Sequence, residues 1–274
     1  MEKILKALER AQLEAGHVAA GRSATALRFQ AHVQPESAPA SRPAPRTRVE
    51  PVSEAALAAN RLVAGLPEHK LGDTFRVLRT RVLQLLEEND FSTLMIASPN
   101  PGDGKSVVAA NLAISLAKLA TRSVLLVDAD LRRPSVHKLF SVSGTPGLVD
   151  YLEERAALHE CLVRPGIESL VLLPAGPPME NSSELLTGPL MTGLATELKA
   201  RYPDRIVIYD APPLLTSDDA IAFSGYVDCG LLVAAEGETP VSDIEQTLMM
   251  LSGLPILGTV LNKSNESPRS YYGS

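Results

Sequence analysis

Six short apolar runs constrain this chain more than any other feature. They lie at 93–97, 124–127, 170–173, 206–209, 231–235 and 257–261, and stretches of helical period separate them. Strands that alternate with helices build a parallel sheet, because each return to the same edge direction needs a crossover. The expected fold is therefore α/β, a mostly parallel sheet covered by helices on both faces. Helices are predicted near 105–120, 147–159, 182–200, 217–224 and 241–252, preceded by two at 52–64 and 72–88. On the helix at 72–88, Phe75, Leu78, Val82, Leu85 and Leu86 share one face. Asn181, with Glu184 three residues on, predicts a cap before Leu185 and Leu186.

The ends differ in character. Residues 1–14 read as a short helix with Ile4, Leu5, Leu8 and Ala11 on one face, suited to docking on a partner. Residues 15–50 are rich in Ala, Pro, Ser and Arg and read as a flexible linker. The domain is expected to span 51–263, followed by a mobile tail at 264–274. No apolar run approaches the roughly 18 residues of a membrane span, and the start lacks a signal-peptide pattern. A cytoplasmic protein is expected. Cys161 and Cys229 each lie in an apolar stretch and read as small core residues. A net charge of -6 argues against a nucleic-acid partner.

The chemistry centres on residues Ala97 to Ser106, which read Ala-Ser-Pro-Asn-Pro-Gly-Asp-Gly-Lys-Ser. A strand feeds a glycine-bearing turn, and a helix opens at Lys105. Such a turn cradles phosphate: Gly102 and Gly104 let backbone N–H groups converge, and the helix N-terminus adds partial positive charge. Pro101, Gly102, Asp103, Gly104, Lys105 and Ser106 are the candidate nucleotide contacts. Lys105 can reach the β- and γ-phosphates, and the Ser106 hydroxyl can ligate Mg²⁺. The strict spacing fails at Pro99, which replaces the first glycine.

Three aspartates end apolar runs. Asp128 and Asp130 follow the run at 124–127, and Asp210 follows that at 206–209. Ligands of open parallel sheets sit beyond the carboxyl ends of strands, where these residues fall. Asp210 would hold Mg²⁺ through its water shell, leaving Asp128 and Asp130 for nucleophile activation or a second contact to the metal.

Taken together, the phosphate loop, the block Asp128-x-Asp130-x-Arg132 and the block Asp210-x-Pro212-Pro213 resemble the bacterial tyrosine kinases. So do Phe75–Thr80, Leu173–Gly176 before Ser183–Leu186, and Val260–Lys263. These are cytoplasmic P-loop autokinases of the deviant Walker type that control capsule and exopolysaccharide synthesis. The resemblance covers about 70–272. The start at 1–14 is similar to the autokinases of exosortase-linked exopolysaccharide loci.

The resemblance implies ATP and Mg²⁺ as cofactors, with Lys105, Asp128 and Asp130 catalytic and Ser106 and Asp210 at the metal. It places Asn262 near the adenine. It also implies a ring-like homo-oligomer formed through Asp73, Arg76 and Arg79, with Asp73 where glutamate is usual. Both arginines are expected to stand free for a neighbour's carboxylates. Tyr271 and Tyr272 would be the phospho-acceptors, a shorter set than the family's tyrosine cluster. Implied partners are a membrane polysaccharide co-polymerase that holds the kinase at the inner membrane, and a tyrosine phosphatase.

Two other readings stay open. One is a partition or positioning ATPase of the related group, whose signature lysine would occupy the position of Asn100. The other is a catalytically weak regulatory ATPase of the polysaccharide machine. The two tyrosines near the end separate these from an autokinase.

Overall fold

In the computed structural model, residues 47–200, 204–217 and 219–264 are described. The expected docking helix at 1–14, most of the linker, and the tail with Tyr271 and Tyr272 lie outside them.

The sheet forms as the alternation predicts. Its strands are β1 (Arg48–Val49), β2 (Thr93–Ala97), β3 (Ser123–Asp128), β4 (Val163–Arg164), β5 (Leu170–Leu173), β6 (Arg205–Asp210), β7 (Cys229–Ala235) and β8 (Ile256–Asn262). The spatial order is β1-β4-β5-β3-β6-β2-β7-β8. The six strands from β5 to β8 run parallel, and only the β4–β5 pair is antiparallel. The helices are α1 (Glu54–Ala59), α2 (Gly72–Glu88), α3 (Lys105–Ala117), α4 (Val136–Leu139), α5 (Leu148–Leu152), α6 (Leu158–Cys161), α7 (Ser182–Thr187), α8 (Pro189–Ala200), α9 (Asp219–Ser224) and α10 (Val241–Met250).

Successive strand residues point to opposite faces, and here both faces are buried. Leu94, Ile96, Val124, Leu126, Ile206 and Ile208 pack on one side with α3 and α2. Met95, Leu125, Val127, Val207 and Tyr209 pack on the other, against Leu148, Leu186, Met191, Leu194 and Phe223. This double cover is why the strands read as continuous apolar runs. Helix α3 is buried nearly all round, from Val108 to Ala117. Small alanines let it lie close to the sheet, while α2 covers its outer side with Val82 and Leu86. Asn111 is the most deeply buried polar residue on α3. Its amide is satisfied by the Ala64 N–H and by the carbonyls of Arg61 and Val107.

Several expectations need correction. The linker does not extend to residue 50: β1 pairs with β4, and the Glu50 N–H donates to the Arg164 carbonyl. A two-residue strand carries no periodicity to read. The helix expected at 147–159 is two short helices, α5 and α6. That at 182–200 is broken between α7 and α8, because Pro189 has no N–H to continue the ladder and opens a new helix instead. Asn181 stands at the start of α7 but makes no side-chain cap bond. The serines that follow it turn to Asp219 instead.

The lower edge of the central sheet is held by Asp228. Its carboxylate accepts from the N–H groups of Ser92 and Thr93 at 2.9 and 3.0 Å and from the Thr93 hydroxyl, and it pairs with Lys199. Burial alone would raise its pKa, but Lys199 and these donors outweigh it and hold the carboxyl below its ordinary range. A depressed folded-state pKa contributes stability above the unfolded value of about 3.9 and loses it as pH falls through the folded value. Asp228→Ala should therefore lower unfolding free energy at neutral pH by on the order of 2 kcal/mol. The deficit should shrink as pH falls below the unfolded value of about 3.9 in denaturant titrations.

Candidate active site

Strands β3, β6 and β2 are adjacent, and their carboxyl ends carry the three predicted blocks side by side. Asp128 sits opposite Asp210 in the ladder, and Asp210 sits opposite Ile96, just before the phosphate loop. The loop leaves β2 and turns into α3 at Lys105. Gly102 and Gly104 take φ of +91° and +95°, the left-handed region that glycine tolerates. A side chain at Gly104 would also collide with Asn262, whose Nδ2 would lie 2.0 Å from the added Cβ.

Lys105 is the centre of the site. Its Nζ lies 3.0 Å from Asp130 Oδ2, 3.7 Å from Asp210 Oδ1 and 3.5 Å from the Ser106 hydroxyl. Burial opposes its charge, yet Asp210, Asp130 and Asp128 outweigh burial and hold the ammonium above its ordinary range. Asp128 is fully buried. It accepts from the N–H groups of Ser135 and Val136, each at 2.9 Å, which bend the chain after β3 back toward the strand. Burial first, and then the nearby Asp210 charge, push the Asp128 carboxyl up to about 7. Asp210 is also fully buried, and neither of its oxygens has a hydrogen-bond partner. Burial raises its pKa, with Lys105 and the Ser106 hydroxyl opposing.

A buried carboxylate that lacks a hydrogen bond, beside a hydroxyl at a helix start, suits a hydrated divalent cation. Ser106 and Asp210 fit Mg²⁺ in this way.

Asp103 is buried and accepts from the Asn100 N–H and the Thr239 hydroxyl at 2.9 and 2.7 Å. Asn262, at the end of β8, donates to the Asp103 carbonyl at 2.8 Å, so it braces the loop from the side. Pro101 is exposed at the loop tip. Asp73, Arg76 and Arg79 lie on α2, apart from this group. Arg76 pairs with Asp73 on the same helix. Arg79 does not stand free as expected: its Nη1 donates to the Ser115 carbonyl of α3 at 3.1 Å.

Sequence reasoning missed three contributors. Asn100 donates to Asp243 on α10 at 2.8 Å, and Thr239 caps the other side of Asp103. Asp219, at the start of α9, gathers Arg132, Ser182 and Ser183. Thr239 and Asp219 precede or open ordinary helices, so nothing local marks them. Arg132 does fall within a block singled out from the sequence.

Comparison with known proteins agrees with this geometry. The family described as ParA, NUBPL iron-transfer P-loop NTPase, matches residues 91–268. The chain is 33% identical over 209 residues to the tyrosine-protein kinase YwqD of Bacillus subtilis, covering 76% of this chain and 87% of that one. The chain belongs to the bacterial tyrosine-protein kinases. A putative tyrosine-protein kinase of Staphylococcus aureus, CapB, is 31% identical over 214 residues, covering 76% of this chain and 92% of its own length. The kinase domain of the Escherichia coli tyrosine kinase ETK superposes with a TM-score of 0.70 at 28% identity, covering 82% of this chain and 91% of that one. Like these relatives, the kinase has a P-loop NTPase fold built for nucleotide binding.

The close approach of Asn262 makes Gly104 a sharp test. Gly104→Ala should weaken ATP binding at least about tenfold in calorimetry, since it combines a collision with left-handed strain of about 1–2 kcal/mol.

Proposed function

We propose that this kinase transfers the γ-phosphate of ATP to tyrosines of its own tail, Tyr271 and Tyr272, mainly between neighbouring subunits, and so regulates exopolysaccharide synthesis and export. The observation that carries the reading is Lys105, buried among the three strand-end aspartates.

The chain's residues divide the work. Backbone N–H groups from Gly102 to Ser106 cradle the phosphates. Ser106 and Asp210 would hold Mg²⁺, which when bound offsets charge on the phosphates. Lys105 leaves Asp130 for the oxygens of the transferring phosphate, where negative charge builds up. That movement frees the Asp130 carboxylate. The tyrosine oxygen attacks the γ-phosphorus, the bond to the bridging β,γ-oxygen breaks, and ADP leaves. The tyrosine proton passes to Asp130, with Asp128 held behind it by the Ser135 and Val136 N–H groups. Tyrosine has a pKa of about 10, so an acceptor is needed at neutral pH.

Residues 1–14 would dock on a membrane co-polymerase and bring the kinase to the inner membrane from the cytoplasm. Among the described residues no helix is long and apolar enough to cross a membrane. Subunits would assemble as a ring through the exposed Asp73–Arg76 pair on α2. A tyrosine phosphatase would reset the tail.

Each phosphotyrosine adds roughly -1.5 to -2 charge, so turnover would loosen the ring. Lys105→Met should abolish phosphotyrosine formation in purified protein with Mg-ATP, read by mass spectrometry. Labelling equal to wild type would overturn the site assignment. Tyr271→Phe with Tyr272→Phe should remove the label, and labelling that persists would move the acceptors elsewhere. If wild type never labels, even with its membrane partner, the regulatory-ATPase reading replaces this one.

Arg76→Ala should lower oligomer mass in light scattering with ATP binding unchanged. Arg79→Ala should in addition lower the melting temperature, because it removes the bond to Ser115.

A further inference from the structure

Asp219 is 1% exposed and lies outside the group that surrounds Lys105. A buried carboxylate costs several kcal/mol unless it is fully partnered. This one is partnered by the Ser182 and Ser183 hydroxyls and by Arg132, whose Nε is 3.1 Å from Asp219 Oδ2 and 2.8 Å from Ser182 Oγ. Burial alone would raise its pKa, but these groups outweigh burial and hold the carboxyl below its ordinary range.

The network joins three places in the chain: Arg132 in the loop after β3, the serines at the start of α7 after β5, and Asp219 itself at the start of α9 after β6. All three lie at the carboxyl end of the sheet. Arg132 is two residues beyond Asp130, within a turn that Asp130 closes by accepting from the Arg133 N–H at 3.0 Å. The Leu131 carbonyl accepts from the Met179 N–H at 2.9 Å, so the same turn leans on the segment before α7. The outer end of the turn is therefore fixed by Asp219, and its inner end carries the carboxylate that meets Lys105 at 3.0 Å.

We infer that Asp219 is a positioning residue for phosphoryl transfer: through Arg132 and the two serines it holds the 129–133 turn so that Asp130 stands beside Lys105 at rest and keeps its place to take the tyrosine proton once Lys105 moves to the phosphate. The network ties the ends of β5 and β6 to the loop of β3, and its loss lets Asp130 drift rather than unfolding the sheet. This inference rests on the proposed role of the Lys105–Asp130 pair in transfer.

The test uses the full chain and two readouts. The first is acetylation of Lys105 by acetic anhydride, followed by mass spectrometry, which needs no catalysis. The second is ADP formation from Mg-ATP. Arg132→Gln is the main variant, because the Arg132 side chain is 42% exposed and its replacement leaves the core intact. Asp219→Asn is the second, and Asp130→Asn sets the ceiling.

Arg132→Gln and Asp219→Asn should each raise Lys105 acetylation severalfold toward the Asp130→Asn value. They should lower kcat about tenfold to a hundredfold while KM for ATP stays within about twofold. The double variant should be no worse than the stronger single one, as expected of residues acting as a unit. Lys105 acetylation in Arg132→Gln equal to wild type would overturn the inference. If Asp130→Asn raises acetylation but leaves turnover at the wild-type rate, the transfer role of Asp130 fails while the positioning by Asp219 stands.

Discussion

The structure depends on one buried ammonium. Lys105 Nζ stands 3.0 Å from Asp130 and 3.7 Å from Asp210, with Asp128 a short distance behind on the neighbouring strand. One positive charge among three carboxylates is a poor arrangement for stability alone. Like charges in a low-dielectric interior repel strongly, and a buried ion pair replaced by apolar groups is often no less stable. The cluster persists because the sheet fixes it. Asp128 and Asp210 are the last residues of paired strands, so neither can withdraw without breaking the ladder. Such a cluster suits a ligand that brings cation and phosphate charge together, as ATP with Mg²⁺ would.

The surrounding fold reads as support for that tension. The phosphate loop is braced by the protein's own groups: Asp103 holds the Asn100 N–H and the Thr239 hydroxyl, and Asn262 holds the Asp103 carbonyl. Helix α3 is locked between the sheet and α2, so Lys105 and Ser106 at its start have little freedom. Preorganised polar groups of this kind need not reorganise as charge develops during transfer. The core on either side of the sheet carries the offsetting stability, with residues of each central strand alternating between the two apolar layers.

Most of this was legible from the residues. The six parallel strands and the loop between β2 and α3 declare themselves because apolar runs and glycines act locally. What escaped reading was long-range. Arg79 looked like an interface residue, and only the packing of α2 on α3 reveals the Ser115 carbonyl beneath it. Asn181 carries every local sign of a cap, yet Asp219, 38 residues later, draws Ser182 and Ser183 to itself. The β1–β4 pair is too short to leave a pattern. The break before Pro189 was marked by the proline itself, and the apolar period running through it concealed the stop.

Asp210 bears this tension most directly: it is fully buried with other carboxylates near it, and its one counter-charge, Lys105 at 3.7 Å, is shared with Asp130. If the site is held under electrostatic tension for the sake of Mg-ATP, removing this charge should help the empty protein and harm the loaded one. The decisive measurement is the melting temperature of wild type and Asp210→Asn, each with and without Mg-ATP. The nucleotide-free variant should melt higher than wild type and should show little or none of the wild-type rise on adding Mg-ATP. A variant that melts lower than wild type when empty, or that keeps the full Mg-ATP rise, would contradict it.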